Sequence, residues 1–90
     1  MASKSKLQKF AELAQNPIVF EKNPEMKGKW NTDFFKNNHP IILELACGKG
    51  EYTNGMAKLF PEKNFIGMDI KGNRIWSGAR ITELEGLQNV

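Results

Sequence analysis

The chain changes texture at Pro40, and that change most constrains what it can fold into. Ile41-Ile42-Leu43-Glu44-Leu45-Ala46 is a nearly unbroken apolar run stopped by Gly48 and Gly50, the pattern of a strand covered on both faces within a parallel sheet. From Glu51 to Phe60 the apolar residues Tyr52, Met56, Leu59 and Phe60 recur at helical spacing, and Pro61 ends the helix. Asn64 to Ile70 predicts a second strand. Gly72 to Glu85 predicts a second helix with Ile75, Trp76, Ala79 and Leu84 as its apolar positions, and Gly86 terminates it. The order is β-loop-α-β-α, and the right-handed crossover rule lays the two strands parallel and adjacent. Leu87-Gln88-Asn89-Val90 reads as the entry into a third strand, and two parallel strands bury too little to stand alone. The expectation is an α/β fold, a parallel sheet with flanking helices, in which residues 40–90 form the first β-α-β-α half of a domain truncated at its third strand.

Residues 1–39 read as a basic N-terminal arm with short helices. Ser3 or Ser5 can cap a helix whose apolar positions Leu7, Phe10, Ala11 and Ala14 follow i, i+3, i+4, i+7 spacing, and Asn16-Pro17 ends it. Pro17 to His39 reads as mostly loop, with one helical turn after Thr32 that places Phe34 and Phe35 on the domain. The net charge of +3 sits wholly upstream: residues 1–40 hold seven lysines against four acids, whereas residues 41–90 balance six against six. Lysines interleaved with Phe10, Phe20, Trp30, Phe34 and Phe35 suit a nucleic-acid partner, and they equally suit a solvated arm whose rings dock on the domain. Ninety residues make one small domain with a thin core. A single cysteine forms no internal disulfide, and with one histidine it leaves the ligand set of a structural zinc site incomplete, so no metal is expected. The absence of such staples hints that these residues fold with more protein. With no apolar run of spanning length and no apolar signal region, the chain reads as cytoplasmic.

The chemistry concentrates in Glu44-Leu45-Ala46-Cys47-Gly48-Lys49-Gly50, at a strand-to-helix turn, followed by Asp69 at the end of the next strand. Glycines let the backbone turn sharply and approach a ligand, and the free N–H groups opening the next helix bind a carboxylate or phosphate. An acid at the tip of the adjacent strand accepts hydrogen bonds from ribose hydroxyls. Together they describe a nucleoside-cofactor site. A phosphate-binding P-loop fails, because Gly48-Lys49 is followed by Gly50 and position 43 is leucine. The dinucleotide fingerprint needs a glycine where Thr53 stands, which leaves a NAD-binding half-domain as a weaker alternative. Glu44 would repel a pyrophosphate but can orient a ligand that carries an ammonium group, as S-adenosyl-L-methionine does.

These residues carry a resemblance. Ile42 to Asp69 resembles motifs I and II of class I S-adenosylmethionine-dependent methyltransferases, which share a Rossmann-like fold. The strings Leu43 to Glu51 and Phe60 to Lys71, with the lead-in Lys6 to Glu12 and Lys29-Trp30, resemble the tRNA (guanine-N(7)-)-methyltransferase family of the TrmB type. The resemblance implies methyl transfer from S-adenosyl-L-methionine to N7 of a guanosine in the tRNA variable loop, at tRNA position 46, with tRNA as partner. It also implies that Glu44, Gly48, Gly50 and Asp69 bind the cofactor, with Ile70 against adenine. Ala46 stands where the family has the first glycine of the loop, and its methyl is tolerated if its φ is negative. The family's remaining cofactor contacts and its acceptor residues lie beyond position 90. The alternative is a non-catalytic fragment of such an enzyme, and on either reading the 90 residues alone are expected to be inactive.

Four further residues admit a sharper reading and a plainer one. Cys47 lacks a neighbouring histidine and reads as a small packed hydrophobe instead of a nucleophile. His39 reads as a hydrogen-bonded boundary residue. Trp76, with Arg74 and Arg80, reads as a partly buried anchor or an RNA contact. Lys49 meets phosphate or stays solvated.

Overall fold

A computed structural model describes residues 4–90. Helix α1 spans Lys6–Gln15, β1 Ile41–Leu45, α2 Glu51–Leu59, β2 Asn64–Met68 and α3 Gly72–Leu84. Of the two proposed caps for α1, Ser3 lies outside the described residues. Ser5 forms a complete capping box with Gln8, each side chain taking the other's backbone N–H. Between α1 and β1 come a single 3-10 turn, Pro24–Met26, and a π-helical turn, Trp30–Phe35. Phe20, Trp30, Phe34 and Phe35 meet edge to face, with ring centroids 4.8 to 6.3 Å apart.

The two strands pair in parallel, as the crossover rule requires, with Ile41 opposite Asn64 and Glu44 opposite Gly67. The ladder runs past both strand ends. Asn64 N–H donates to the Pro40 carbonyl and Cys47 N–H to the Met68 carbonyl, each at 2.8 Å. On the opposite edge of β2, Phe65 N–H donates to the Asn89 carbonyl at 2.7 Å. The Asn89 amide nitrogen lies 2.9 to 3.2 Å from the carbonyls of Lys63, Ala57 and Phe60. Residues 87–90 form no strand, yet Asn89 stands beside β2 where a third strand would begin.

Coverage of the first strand on both faces is not observed. Ile42 and Leu43 are exposed and Leu45 is 70% exposed, because the helices pack chiefly on β2 and on one another while the outer edge of β1 has no strand beside it among the described residues. The helix faces also differ from the apolar spacing. Tyr52 and Leu59 of α2 are exposed, at 61% and 71%, and so are Leu7 and Leu84; α2 buries Thr53, Asn54 and Ala57, and α3 buries Gly78, Ala79 and Thr82. Short polar side chains win these positions because the helices lie too close for larger ones. Thr82 Oγ1 donates to Asn54 Oδ1 at 2.6 Å, and Asn54 Nδ2 donates to the Gly78 carbonyl at 3.1 Å. A Cβ on Gly78 would stand 2.6 Å from the Lys49 carbonyl oxygen.

Helix α1 lies along α3. Lys9 Nζ donates to Asn73 Oδ1 at 3.0 Å, Trp76 Nε1 donates to Glu12 Oε2 at 2.7 Å, and Asn16 Nδ2 donates to Glu83 Oε1 at 2.6 Å. Phe10 and Leu13 cover Gly72, where a Cβ would come within 3.0 Å of the Phe10 ring. Trp76 is thus a half-buried anchor for the arm, with Lys9 and Arg80 over its ring. None of the described helices is long and apolar enough to cross a membrane.

Gly78→Ala tests the close approach of α3. Helix propensity alone favours alanine by about 1 kcal/mol, whereas overpacking against backbone costs about 1–3 kcal/mol. The clash is expected to win, and thermal melting of the variant should show a lowered Tm.

Candidate cofactor site

The site is built where β1 and β2 end. Glu44 and Gly67 are cross-strand partners, and two residues on, Asp69 returns to the same face of the sheet as Glu44. The loop Ala46 to Gly50 closes over that end. Gly50 N–H donates to the Cys47 carbonyl at 2.9 Å, and Gly50 (φ 72°) begins α2. Gly48 (φ 58°) has no atom within 4 Å of the place a Cβ would occupy, so its backbone is open to a ligand. Gly50 is buried, facing Gly78. The two glycines therefore differ: Gly48 leaves the loop accessible, whereas Gly50 is buried against α3 and turns the chain into α2 with a positive φ.

Asp69 is held at two points. Its Oδ2 accepts the Gly48 N–H and its Oδ1 the Lys71 N–H, both at 2.8 Å. These bonds, that from Lys71 foremost, hold its carboxyl below the usual carboxylate range. Each carboxylate oxygen has about two lone-pair directions, so one on each remains for further donors. Glu44, half-buried, accepts the Thr53 hydroxyl on Oε1. Ile70, just past Asp69, is 98% exposed, an apolar side chain with one wholly open face. Cys47 packs over Gly67; burial first, and then Asp69 and Glu44, push its thiol up, away from the reactive thiolate. Lys49 stays exposed, and His39 takes part through its backbone, donating to Asn37 and accepting from Asn31.

Ala46 departs from expectation. Its φ is +56°, in the left-handed region and not negative, because the chain must reverse between the last β1 residue and Cys47, whose N–H is tied to Met68. The methyl is thus accommodated at a conformational cost of about 1–2 kcal/mol. Thr53 and Asn54 are the site-building residues that apolar spacing passes over, since hydropathy marks neither. The one available sign for Thr53 is that it interrupts the dinucleotide glycine pattern.

Parallel strands joined by a crossover helix carry a glycine loop at their carboxyl ends and an acid near the end of each, the place where open α/β sheets take their ligands. Residues 38–90 match a family model described as "Putative methyltransferase". Among curated relatives, the tRNA (guanine-N(7)-)-methyltransferase of Bacteroides thetaiotaomicron is 53% identical over 95 residues, covering 97% of this chain and 38% of that protein. Proteins of the same name from Porphyromonas gingivalis and Christiangramia forsetii are 57% and 51% identical, over 90% and 100% of this chain and 32% and 44% of their own lengths. The chain belongs to the tRNA (guanine-N(7)-)-methyltransferase family and spans between about a third and under half of these relatives.

Two outcomes follow from the loop. Ala46→Gly should relieve the positive φ and raise stability by about 1 kcal/mol after glycine's greater unfolded-state freedom is counted, a Tm gain of about 4–8 °C by calorimetry for a domain of this size. Asp69→Asn should lower Tm at neutral pH. Because the folded carboxyl titrates below its unfolded range, its contribution is complete above that range and is lost as pH falls through it. The Tm gap between wild type and Asp69→Asn should therefore narrow as pH falls below the ordinary carboxylate range toward the lowered titration of the folded carboxyl.

Proposed function

We propose that this site binds S-adenosyl-L-methionine and that the chain contributes the cofactor half of an enzyme that methylates N7 of guanosine in tRNA. The observation that carries this reading is the pairing of two carboxylates on one sheet face across an open glycine loop. The donor set fits the cofactor. Glu44 offers an anion to its ammonium group, the first-turn N–H groups of α2, which no N-cap side chain takes up, would hold its carboxylate, and the free lone pairs of Asp69 suit a ribose diol. Ile70 offers adenine an apolar contact. Gly48 leaves the backbone accessible between them, and Gly50, with its positive φ, opens the helix.

When bound, the cofactor supplies an activated sulfonium methyl. The work left to the chain is holding and orienting, since guanine N7 already presents a lone pair and needs no proton removed. Positioning in a pocket that excludes water then provides most of the acceleration. This accounts for a site with two fixed carboxylates and no histidine or cysteine poised as a base. Residues 1–39 form the arm in this reading and residues 40–90 the cofactor-binding part. Lys6, Lys22, Lys27 and Lys36 make no ion pair among the described residues and are available to tRNA phosphates, contacts that added salt would weaken.

Calorimetric titration tests the cofactor. S-adenosylmethionine should bind in preference to NAD, and Asp69→Ala should weaken it by about 10-fold or more, the worth of hydrogen bonds to a charged group. Preference for NAD, or undiminished affinity in Asp69→Ala, would overturn the assignment. For the acceptor, a chimera joining this chain to the remaining length of the Bacteroides relative should transfer labelled methyl groups to tRNA, and the transfer should fail with Asp69→Ala.

A further inference from the structure

We infer that Thr53 is a positioning residue: its hydroxyl, reaching from the first turn of α2, fixes the direction in which Glu44 presents its carboxylate to the ammonium end of the cofactor. The inference rests on the reading of Glu44 given above and adds a residue that neither the glycine pattern nor the acids on the strands imply.

Three observations carry it. Thr53 is only 3% exposed, and its hydroxyl donates to Glu44 Oε1. A buried hydroxyl is thus spent on one carboxylate oxygen, which leaves Oε2 and a lone pair of Oε1 for a ligand. Glu44 lies opposite Gly67 in the sheet, and a Cβ on Gly67 would stand 3.2 Å from Thr53 Oγ1 and 2.9 Å from Cys47 Sγ. The missing side chain of Gly67 is therefore the space that lets Thr53 reach across to the strand. Thr53 is also the third residue of α2, where its backbone N–H belongs to the unsatisfied first turn. One residue thus ties together the two groups assigned to the amino-acid end of the cofactor, the carboxylate and the helix N-terminus.

The test compares two ligands that share ribose and adenine: S-adenosylmethionine, and 5′-methylthioadenosine, which lacks the amino-acid end. Thr53→Val, nearly isosteric but without the donor, should weaken S-adenosylmethionine about tenfold and leave 5′-methylthioadenosine unchanged, as measured by calorimetry on the 90-residue chain. Thr53→Ser should restore wild-type affinity, and Thr53→Val should add nothing in a Glu44→Gln background, since both then remove the same interaction. If Thr53→Val does not melt cooperatively, Thr53→Ala, which inserts no methyl beside Glu44, carries the same comparison. Equal loss for both ligands, or no loss for either, overturns the positioning role even while Glu44→Gln still selectively weakens S-adenosylmethionine. If Glu44→Gln shows no selective loss, the reading of Glu44 falls and the role of Thr53 falls with it.

Discussion

The arrangement depends on how closely α3 approaches the start of α2. Gly78 lies against the Lys49 carbonyl, and Asn54 and Thr82 bridge the two helices by hydrogen bonds of 2.6 and 3.1 Å that include the Gly78 carbonyl. The described apolar residues that are buried are few, Ala57, Phe65 and Ala79, beside four buried polar ones. A core of this kind is specified less by filling volume than by matching donors to acceptors, and a buried polar group left unmatched costs about 1–3 kcal/mol. The helices consequently have little freedom to slide. Fixing α3 fixes Lys49, and Lys49 is part of the glycine loop.

The loop inherits that rigidity from both sides. Asp69 takes the Gly48 N–H, Met68 takes the Cys47 N–H, and Cys47 in turn takes the Gly50 N–H. Three backbone N–H groups of this one loop are thereby fixed before any ligand arrives, which lowers the ordering cost of binding. The positive φ of Ala46 is the local expense of this geometry. It is sustained because the surrounding bonds over-determine the turn.

Much of this was legible in the sequence, and what was not has a common cause. The apolar run before Gly48, the proline after Phe60 and Gly86 at the end of α3 fixed the order of elements and their bounds to within a residue or two. Glu44 and Asp69 stood out because acids at strand tips beside glycines have few structural uses. The helix faces were legible only in part: periodicity reads hydropathy, and it nominated Ala79, which is buried, but also Tyr52, Leu59 and Leu84, which are exposed, while other buried positions went to Thr53, Asn54 and Thr82. Polar side chains whose partners lie 24 to 28 residues away leave no local trace. The left-handed turn at Ala46 was hidden for a different reason. Alanine is not a residue that advertises positive φ, and the constraint comes from Met68 across the sheet.

The docking of α1 changes what the N-terminal charge means. Lys4 is paired with Glu12, while Lys9 is committed to Asn73 and the Trp76 ring, so part of the basic excess holds the arm and does not face outward. The segment it grips is also the one that leaves the candidate cofactor site: Asp69 is pinned by the Lys71 N–H, Gly72 lies beneath Phe10 and Leu13, and Asn73 and Trp76 take Lys9 and Glu12. A Cβ at 72 would press on the Phe10 and Leu13 side chains at 3.0 to 3.3 Å, so glycine there favours the close approach of the arm. The arm and the second-strand acid therefore share one short stretch of backbone, held near its start by the bonds of Asp69 to the Gly48 and Lys71 N–H groups and further on by the contacts of α1 with Asn73 and Trp76.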